Sequence, residues 1–293
     1  MLKPFFTLLI LITMGMSQWA FAEQDFVRIK AQARLADATY IDSTASLSLA
    51  DYLRQGGDAL VHQAVMPNSQ VSYFVSEKDG IQTIAIRGTS NIENVILDLD
   101  LALQLDPQLN IVLHQGFAKA ARAVLEDVKP YLNSEYKIRT TGHSLGGAIA
   151  VILAMYLEQD SAYQLAQVIS FGQPKVTNVS GAAMFDDLPL IRVVTPLDIV
   201  PLVPPLSPMQ IQEMDIYWHM GEEVILMGNQ EYAQTNGLKS MLRATKFTSA
   251  LPNEENLLAH QMSTYNHLID KLLLSAKEVP YKMQINLFGF SFD

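Results

Sequence analysis

The sequence predicts an α/β fold with a mostly parallel central sheet flanked by helices. Strand-like runs alternate with helical runs along most of the chain, a pattern typical of parallel strands joined by helical crossovers. At the centre of this pattern, a strand at 136–141 leads into Gly-His-Ser-Leu-Gly (142–146) and then into a continuously apolar helix that begins near 148. A strand, a G-x-S-x-G turn and a buried helix in succession indicate a nucleophile elbow.

The two glycines of this turn have a physical reason. A turn this sharp holds Ser144 in a strained backbone conformation, and side chains at 142 and 146 would collide with the neighbouring strand and helix. The hydroxyl of Ser144 then projects close to the N-terminus of the helix, where free N–H groups and the helix dipole favour developing negative charge. Ser144 is therefore the candidate nucleophile.

The elements on either side of the elbow follow from periodicity and turn residues. Before the elbow, the pattern predicts helices at 24–36, 47–54 and 117–132, and strands at 71–75, 81–86 and 111–113. The Asp-Gly at 79–80 predicts a hairpin between the first two strands. After the elbow, it predicts buried strands at 168–171 and 190–194, a hairpin of 216–219 with 223–226, and a helix at 255–275.

The first 22 residues have the pattern of a secretory signal peptide. Lys3 supplies the positive start, residues 4–16 are almost wholly apolar, and Ala-Phe-Ala (20–22) is a small-x-small cleavage site. Cleavage there would leave residues 23–293, a length that suits one large α/β domain. The sequence thus predicts an exported protein, either secreted or periplasmic.

The composition is acidic and contains no cysteine. The net charge is −10, and removing residues 1–22 takes away Lys3 and lowers it to −11. This charge argues against nucleic acid as a partner, since a phosphate backbone would be repelled. Without cysteine, the chain forms no disulfides and carries no thioether lipid anchor. No later stretch is long and apolar enough to predict a transmembrane segment in the mature chain, and the sequence does not indicate the oligomeric state.

Residues 91–109 are unusually rich in leucine and aspartate for a loop. Apolar side chains in a loop usually cover something apolar, so this segment is predicted to be a lid over the groove beside Ser144. A fixed core helix is the other interpretation, with its acidic residues marking a solvent-exposed face.

A nucleophilic serine needs a histidine to take its proton and a carboxylate to orient that histidine. In α/β folds with this elbow, the order along the chain is serine, acid, histidine. Asp198 is the favoured acid because it directly follows a buried strand, at the same edge of the sheet as the elbow. Asp186, Asp187 and Asp215 are the alternatives, two in a helix-to-strand turn and one inside a predicted strand.

Three histidines follow the serine. His260, at a loop-to-helix junction, is the favoured base. His219 lies among aromatic residues of a predicted strand and is interpreted as a core residue, and His267 falls opposite the apolar stripe of the last helix. His143 adjoins the serine, but its side chain is expected to point away and to pack. His62 and His114 precede the elbow and are interpreted as structural.

Acyl transfer also requires hydrogen-bond donors for the oxyanion. One donor is normally the backbone N–H of the residue after the serine, here Leu145. The other normally comes from a loop after an earlier strand, and Gly88-Thr89 occupies such a loop. The hydroxyl of Thr89 could add a further hydrogen bond.

At this point the sequence resembles the class 3 lipases of filamentous-fungal type, over about 71–272. The resemblance is carried by six motifs in that family's order: Ile-Arg-Gly-Thr-Ser-Asn-Ile-Glu-Asn (86–94), His-Gln-Gly-Phe (114–117), Thr-Gly-His-Ser-Leu-Gly-Gly-Ala (141–148), Phe-Gly-Gln-Pro-Lys-Val (171–176), Asp-Ile-Val-Pro (198–201) and Ala-His (259–260) with Tyr265 after it. Two positions depart from the family pattern: Val95 stands where the lid often has tryptophan, and Thr177 stands where glycine is common.

The resemblance implies an α/β-hydrolase fold with a lid, and a triacylglycerol lipase that works through an acyl-serine intermediate without cofactor or metal. It implies Ser144 as nucleophile, Asp198 as orienting acid, His260 as base, and Thr89 with Leu145 as oxyanion donors. The partner would be an acylglycerol or other ester at a lipid–water interface. A phospholipase A1 and a soluble carboxylesterase of feruloyl type are the nearest alternatives, and an inactive hydrolase fold that only binds ligands is a remote one.

Overall fold

The structure is a computed structural model, and it describes residues 24–42, 46–67, 69–89, 102–204, 216–236, 253–281, 285–287 and 290–292. The predicted signal peptide, most of the predicted lid and the alternative acid Asp215 lie outside these residues, as does Val95.

The described residues form seven α-helices and two short 3-10 turns. The α-helices are α1 Phe26–Ala38, α2 Leu49–Gln55, α3 Gln115–Val128, α4 Leu145–Gln159, α5 Val179–Met184, α6 Glu254–His260 and α7 Met262–Leu274. The 3-10 turns are Lys129–Tyr131, which follows α3, and Val200–Leu202.

The strands of the described chain are, in order, β1 Ala59–Val65, β2 Ser72–Lys78, β3 Ile81–Ile86, β4 Leu103–Asp106, β5 Ile111–His114, β6 Lys137–His143, β7 Gln164–Phe171, β8 Thr177–Asn178, β9 Leu190–Val194, β10 Tyr217–Trp218, β11 Glu222–Gly228, β12 Glu231–Asn236, β13 Lys277–Glu278, β14 Ile285–Leu287 and β15 Phe290–Phe292.

Nine of these strands form the central sheet, in the order β1-β2-β3-β6-β7-β9-β11-β12-β13. The five strands at its centre, β3, β6, β7, β9 and β11, are parallel to one another. Antiparallel pairing occurs at β1-β2-β3 on one side and at β11-β12 on the other. The prediction of a mostly parallel sheet is therefore confirmed.

Helices cover both faces of this sheet. The cluster of buried side chains on one face joins the strands to α3, α4 and α5, and the cluster on the other face joins them to α1 and α7. Val168 and Ile169 are adjacent in β7 and belong to opposite clusters, because successive side chains of a strand point to opposite faces. Helix α4 is buried continuously from Gly146 to Leu157, which explains its uninterrupted apolar sequence.

Two predicted elements differ from the structure. Strands 216–219 and 223–226 do not form a hairpin: β10 pairs with β8 in a separate small sheet, and β11 lies between β9 and β12 of the central sheet. Alternation of side chains identifies a strand but not its partner, and in this case two strands adjacent in the sequence do not pair with each other. The predicted helix at 255–275 is two helices, α6 and α7, which are separated at Gln261.

The described end of the predicted lid is fixed to the body of the protein. Residues 103–106 form β4, which pairs with β5. These residues are therefore neither part of a mobile lid nor part of a core helix. Asp106 is 1% exposed and accepts hydrogen bonds from Arg122, from Tyr156 and from the N–H groups of residues 108 and 109. The acidic residue at this end of the segment therefore anchors a turn and does not mark a wet face.

Within the described ranges, no helix combines the length and the hydropathy that crossing a membrane requires.

Candidate active site

Ser144 lies at the junction of β6 and α4, in the conformation that a nucleophile elbow requires. Its φ is 58° and its ψ is −129°, a region that costs a residue with a side chain about 1–3 kcal/mol. The strain is held by the surrounding backbone, because the N–H of Ser144 donates to the carbonyl of Phe171 over 2.8 Å. The serine is also the N-cap position of α4.

The structure gives the reason for both glycines of the elbow. A Cβ at Gly142 would lie 2.5 Å from the carbonyl carbon and oxygen of Gly146. A Cβ at Gly146 would lie 2.2 Å from the carbonyl oxygen of Ile86. Each contact is shorter than two atoms can approach, so the start of α4 packs directly on β3 and β6 only when both positions lack a side chain.

Asp198 and His260 form a buried hydrogen-bonded pair. His260 Nδ1 donates to Asp198 Oδ2 over 2.9 Å, and their side chains are 5% and 0% exposed. The hydroxyl of Tyr265 donates to the same oxygen over 2.5 Å, and the N–H of Val200 donates to Asp198 Oδ1 over 2.9 Å. Burial by itself would raise the pKa of Asp198, but His260 and these two donors outweigh burial and hold it below its ordinary value.

His260 is the last residue of α6, and side chains from three elements hold this helix end. The last carbonyls of a helix have no intrahelical partner. Here the carbonyl of Leu258 accepts from Thr264 over 2.7 Å, that of Ala259 accepts from Thr195 over 3.2 Å, and that of His260 accepts from His143 Nε2 over 2.7 Å. The position of the histidine is thus fixed through its own backbone.

Gly172 makes room for the pair, and the sequence analysis did not give it a role. Its φ is +58°, and a Cβ there would lie 2.7 Å from Asp198 Oδ2 and 2.9 Å from His260 Nδ1. Any larger residue would displace the carboxylate or the imidazole. The available signal was its place directly after β7, inside the motif at 171–176.

Two buried polar atoms of this site remain without a hydrogen bond in the described part of the chain. They are Ser144 Oγ and His260 Nε2. The ring of His143, the residue before the serine, is centred 4.5 Å from the ring of His260, which places the imidazole of His260 beside the elbow. Catalytic hydrogen bonds are often long in ligand-free enzymes and form when substrate is bound.

The loop that follows β3 lies directly against the elbow. A Cβ at Gly88 would lie 2.5 Å from the carbonyl oxygen of His143 and 3.1 Å from Ser144 Cβ. Thr89, the next residue of this loop, is half-buried. Leu145 is the first residue of α4, and the N–H of a first helical residue has no carbonyl to bond within the helix.

The competing acids and histidines lie elsewhere. Asp186 and Asp187 are exposed in the turn before β9, and His267 is exposed on α7. His219 is buried and donates from Nε2 to the carbonyl of Pro201 over 2.7 Å, which agrees with a core residue. The two histidines before the elbow contribute to packing: His62 stacks on Tyr131, and His114 caps α3 by accepting from the N–H of Phe117.

His143 does more than the packing expected of it. It is buried, and both of its ring nitrogens are hydrogen-bonded, Nδ1 with the Tyr40 hydroxyl and Nε2 with the His260 carbonyl, each over 2.7 Å. Because Tyr40 lies about a hundred residues earlier in the chain, no local pattern in the sequence could join them.

The described residues contain no cluster of three or more histidine, aspartate or glutamate side chains that could hold a metal ion.

Comparison with known families places this site in context. The model of the family described as Lipase (class 3) matches residues 83–207, which contain the loop after β3, the elbow and Asp198. Over these residues the chain is similar to the class 3 lipase family. His260 lies outside the matched residues, so its assignment depends on the geometry described above.

Two relatives show how far this chain is similar to proteins named as lipases. It is 32% identical over 161 residues to a lipase of Rhizomucor miehei, an alignment that covers 50% of this chain and 44% of the relative. It is 29% identical over 212 residues to the secreted mono- and diacylglycerol lipase LIP1 of Malassezia globosa, covering 65% of this chain and 67% of the relative. The chain thus spans less than half the length of the first of these lipases.

Its fold matches solved lipase structures. The crystal structure of a lipase from Rhizopus microsporus var. chinensis superposes with a TM-score of 0.58 at 25% identity, covering 68% of this chain and 74% of that one. The predicted α/β-hydrolase fold is therefore confirmed.

Proposed function

We propose that this protein is a serine hydrolase of class 3 lipase type that cleaves carboxylic esters through an acyl-serine intermediate. The observation that carries the proposal is the buried Asp198–His260 pair beside a serine held at φ 58°. The strained backbone of Ser144, and the lack of a hydrogen bond at its buried hydroxyl and at His260 Nε2, lower the stability of the fold. Such destabilising features are concentrated at functional sites.

The arrangement defines a role for each group. Ser144 Oγ attacks the carbonyl carbon of the ester while His260 Nε2 takes the hydroxyl proton, and Asp198 stabilises the imidazolium through its Nδ1–H. The N–H of Leu145 and donors of Thr89 stabilise the oxyanion. The imidazolium then protonates the leaving alcohol oxygen as the C–O bond breaks and the acyl-serine forms. In the second half, His260 takes a proton from water as the water oxygen attacks the acyl carbon. The bond to Ser144 Oγ then breaks, the carboxylic acid leaves, and His260 returns the proton to Ser144.

Acylglycerols are the proposed substrates. The relatives are named as lipases, among them a secreted mono- and diacylglycerol lipase, and this similarity supports an acylglycerol over other esters. Phospholipase A1 activity and hydrolysis of short or feruloyl-type soluble esters use the same acyl chemistry, so they are tested against it. A protein that only binds ligands would gain nothing from the strain at Ser144.

One set of rate measurements tests the activity and the substrate together. Initial rates are compared on trioctanoin emulsion, diacylphosphatidylcholine vesicles, p-nitrophenyl butyrate and methyl ferulate. We expect hydrolysis of p-nitrophenyl butyrate and the fastest turnover on the glyceride. Faster turnover on the phospholipid or the ferulate would show that the substrate is not an acylglycerol. Absence of hydrolysis on all four would reject the proposed ester hydrolase activity.

Export and domain organisation belong to the same proposal. Residues 1–22 would be removed as a signal peptide, and residues 23–293 would form one domain, secreted or periplasmic. Several relatives are named as secreted lipases, which supports export. The packing of α1 near the start of the chain on α7 near its end supports a single domain. Edman sequencing of the exported protein should begin at Glu23; retention of Met1 would reject the cleavage.

A further inference from the structure

Behind the proposed triad, a chain of hydrogen bonds connects the loop after β3 to the backbone of His260. The N–H of Gly88 bonds to the hydroxyl of Tyr40. That hydroxyl lies 2.7 Å from His143 Nδ1, and His143 Nε2 lies 2.7 Å from the carbonyl oxygen of His260. Gly88, Tyr40 and His143 are not among the five residues assigned to the triad and the oxyanion site.

The donors and acceptors along this chain can be assigned without ambiguity. A carbonyl oxygen only accepts, so Nε2 of His143 must carry a proton and donate to His260. A neutral imidazole then has a bare Nδ1, which accepts from the hydroxyl of Tyr40. The oxygen of Tyr40 in turn accepts from the N–H of Gly88. All the bonds therefore run in one direction, from the oxyanion loop to the carbonyl of His260.

We propose that Tyr40 and His143 are positioning residues, which connect the loop after β3 to the carbonyl of His260 and thereby hold that loop and the backbone of His260 in register with Ser144. This inference rests on the proposed ester hydrolysis and names two residues beyond its triad. The tyrosine acts through His143 and Gly88, and His143 acts through the His260 carbonyl; neither touches the reacting atoms.

The protonation states agree with these roles. Burial and the proximity of His260 lower the pKa of His143 to about 3, so the ring stays neutral at ordinary pH. Burial raises the pKa of Tyr40 to about 12, so its hydroxyl keeps the proton that it donates. Neutrality matters because the two imidazole rings are centred only 4.5 Å apart, and a charge on His143 would oppose the imidazolium that His260 forms during turnover.

Loss of the Tyr40 hydroxyl would release the chain at both ends. The N–H of Gly88 would lose its acceptor, and Nδ1 of His143 would lose its donor, so the ring and the loop after β3 would no longer be held to each other. A displacement of about 1 Å in a catalytic group can lower the rate about a hundredfold.

The test compares Tyr40→Phe with Tyr73→Phe on a soluble p-nitrophenyl ester. Tyr73 is also buried, and its hydroxyl donates to Asp127 over 2.6 Å away from the site, so Tyr73→Phe is a matched control for the loss of a buried tyrosine hydrogen bond. We expect Tyr40→Phe to lower kcat about 10- to 100-fold with KM within about twofold, and Tyr73→Phe to leave both constants unchanged.

Coupling between the two residues separates positioning from simple loss of packing. Because Tyr40 and His143 act as one chain, Tyr40→Phe with His143→Phe should lower kcat no further than His143→Phe alone. Unchanged kcat in Tyr40→Phe, equal losses in Tyr40→Phe and Tyr73→Phe, or effects that multiply in the double variant would overturn the inference. Wild-type hydrolysis with an unchanged Tyr40→Phe rejects the inference alone, whereas an inert wild type removes the proposed function as well.

A second measurement does not depend on activity. The ¹⁵N spectrum of the imidazole of His143 in the wild-type protein should show the neutral Nε2–H tautomer at pH 5. In Tyr40→Phe the tautomer should stay the same, but the Nδ1 resonance should move toward that of an unprotonated nitrogen without a hydrogen bond. A protonated ring at pH 5, a proton on Nδ1, or the same Nδ1 resonance in both proteins would contradict the assigned direction of the chain.

Discussion

Asp198 illustrates how single residues in this site are specified. Its two oxygens accept from His260, Tyr265 and the N–H of Val200, and its side chain is fully buried. A buried carboxylate without such donors would take up a proton. With them it stays ionised, so it can orient the imidazole and stabilise its charge.

Exchange of this carboxylate for an amide tests its role. Asp198→Asn keeps the shape of the side chain, but its amide can present an N–H to His260 Nδ1. The proton of the imidazole then lies on Nε2, and a protonated Nε2 cannot accept the proton of Ser144. We expect kcat to fall about 10⁴-fold, as for the equivalent change in a serine-protease triad. Asp186→Asn, in the exposed turn before β9, is the matched control and should retain full activity. If the control loses activity instead, the acid has been misassigned.

Residue types and spacing indicated part of this site. The pattern at 142–146 identified the elbow, and the place of Asp198 after a buried strand identified the acid. The only signal for Gly172 was its place inside the motif at 171–176. Tyr40 and His143 gave no signal for their roles, because these depend on contacts between segments far apart in the chain. The catalytic roles of the five predicted site residues stay predictions, although the structure brings Asp198 and His260 together.

At the scale of elements, the elbow depends on how closely α4 approaches β3. This approach is possible only with glycine at 146, since a Cβ would meet the backbone of residues 86–88 at 2.2–2.8 Å. Backbone cannot rotate away as a flexible side chain can. The position of Ser144 and the packing of α4, the longest of the described helices, therefore depend on Gly146.

Substitution of this glycine should be costly. We expect Gly146→Ala to lower the free energy of unfolding by about 3 kcal/mol or more, because α4 must move away from β3. Gly116→Ala in α3 is the matched control: its Cβ would meet only the His114 ring at 3.5 Å, an ordinary contact. That variant should be neutral or stabilised by up to about 1 kcal/mol. Equal urea midpoints for the two variants would show that the close approach is not required.

Two elements differ from the prediction for different physical reasons. The break at Gln261 contains neither glycine nor proline, so helix propensity predicted one helix over 255–275. The break comes from side chains distant in sequence, Thr195 and His143, which bind the last carbonyls of α6. Strand β1 was not predicted because none of its residues is fully buried and its apolar pattern is weak, although it pairs with the next strand, β2.

At the scale of the whole molecule, two buried neutral histidines make stability depend on pH. Burial lowers the pKa of His143 to about 3 and that of His219 well below its ordinary value of 6.5. In the unfolded chain both titrate near 6.5, so below that pH the unfolded state binds more protons than the folded state. The stability that neutral burial permits is complete above pH 6.5 and is lost as the pH falls from there toward the folded pKa values.

The resulting acid lability is measurable. Each buried histidine should lower the free energy of unfolding by about 2 kcal/mol between pH 7.5 and pH 5. His219→Gln removes one titrating group while its amide can still donate to the carbonyl of Pro201. Urea unfolding should therefore show a smaller loss between these two pH values in His219→Gln than in the wild type. An identical loss in both proteins would exclude His219 as a source of the pH dependence.

The central claim is that Ser144 is a nucleophile activated by His260, and covalent trapping tests it most directly. After incubation with a p-nitrophenyl alkylphosphonate, peptide mass spectrometry should find a single adduct on Ser144, with p-nitrophenol released in equal amount. Ser144→Ala should form no adduct and lose ester hydrolysis by about a millionfold. His260→Ala should form the adduct far more slowly, whereas His267→Ala should react at the wild-type rate. An adduct on another residue, or ester hydrolysis that survives in Ser144→Ala, would contradict the account.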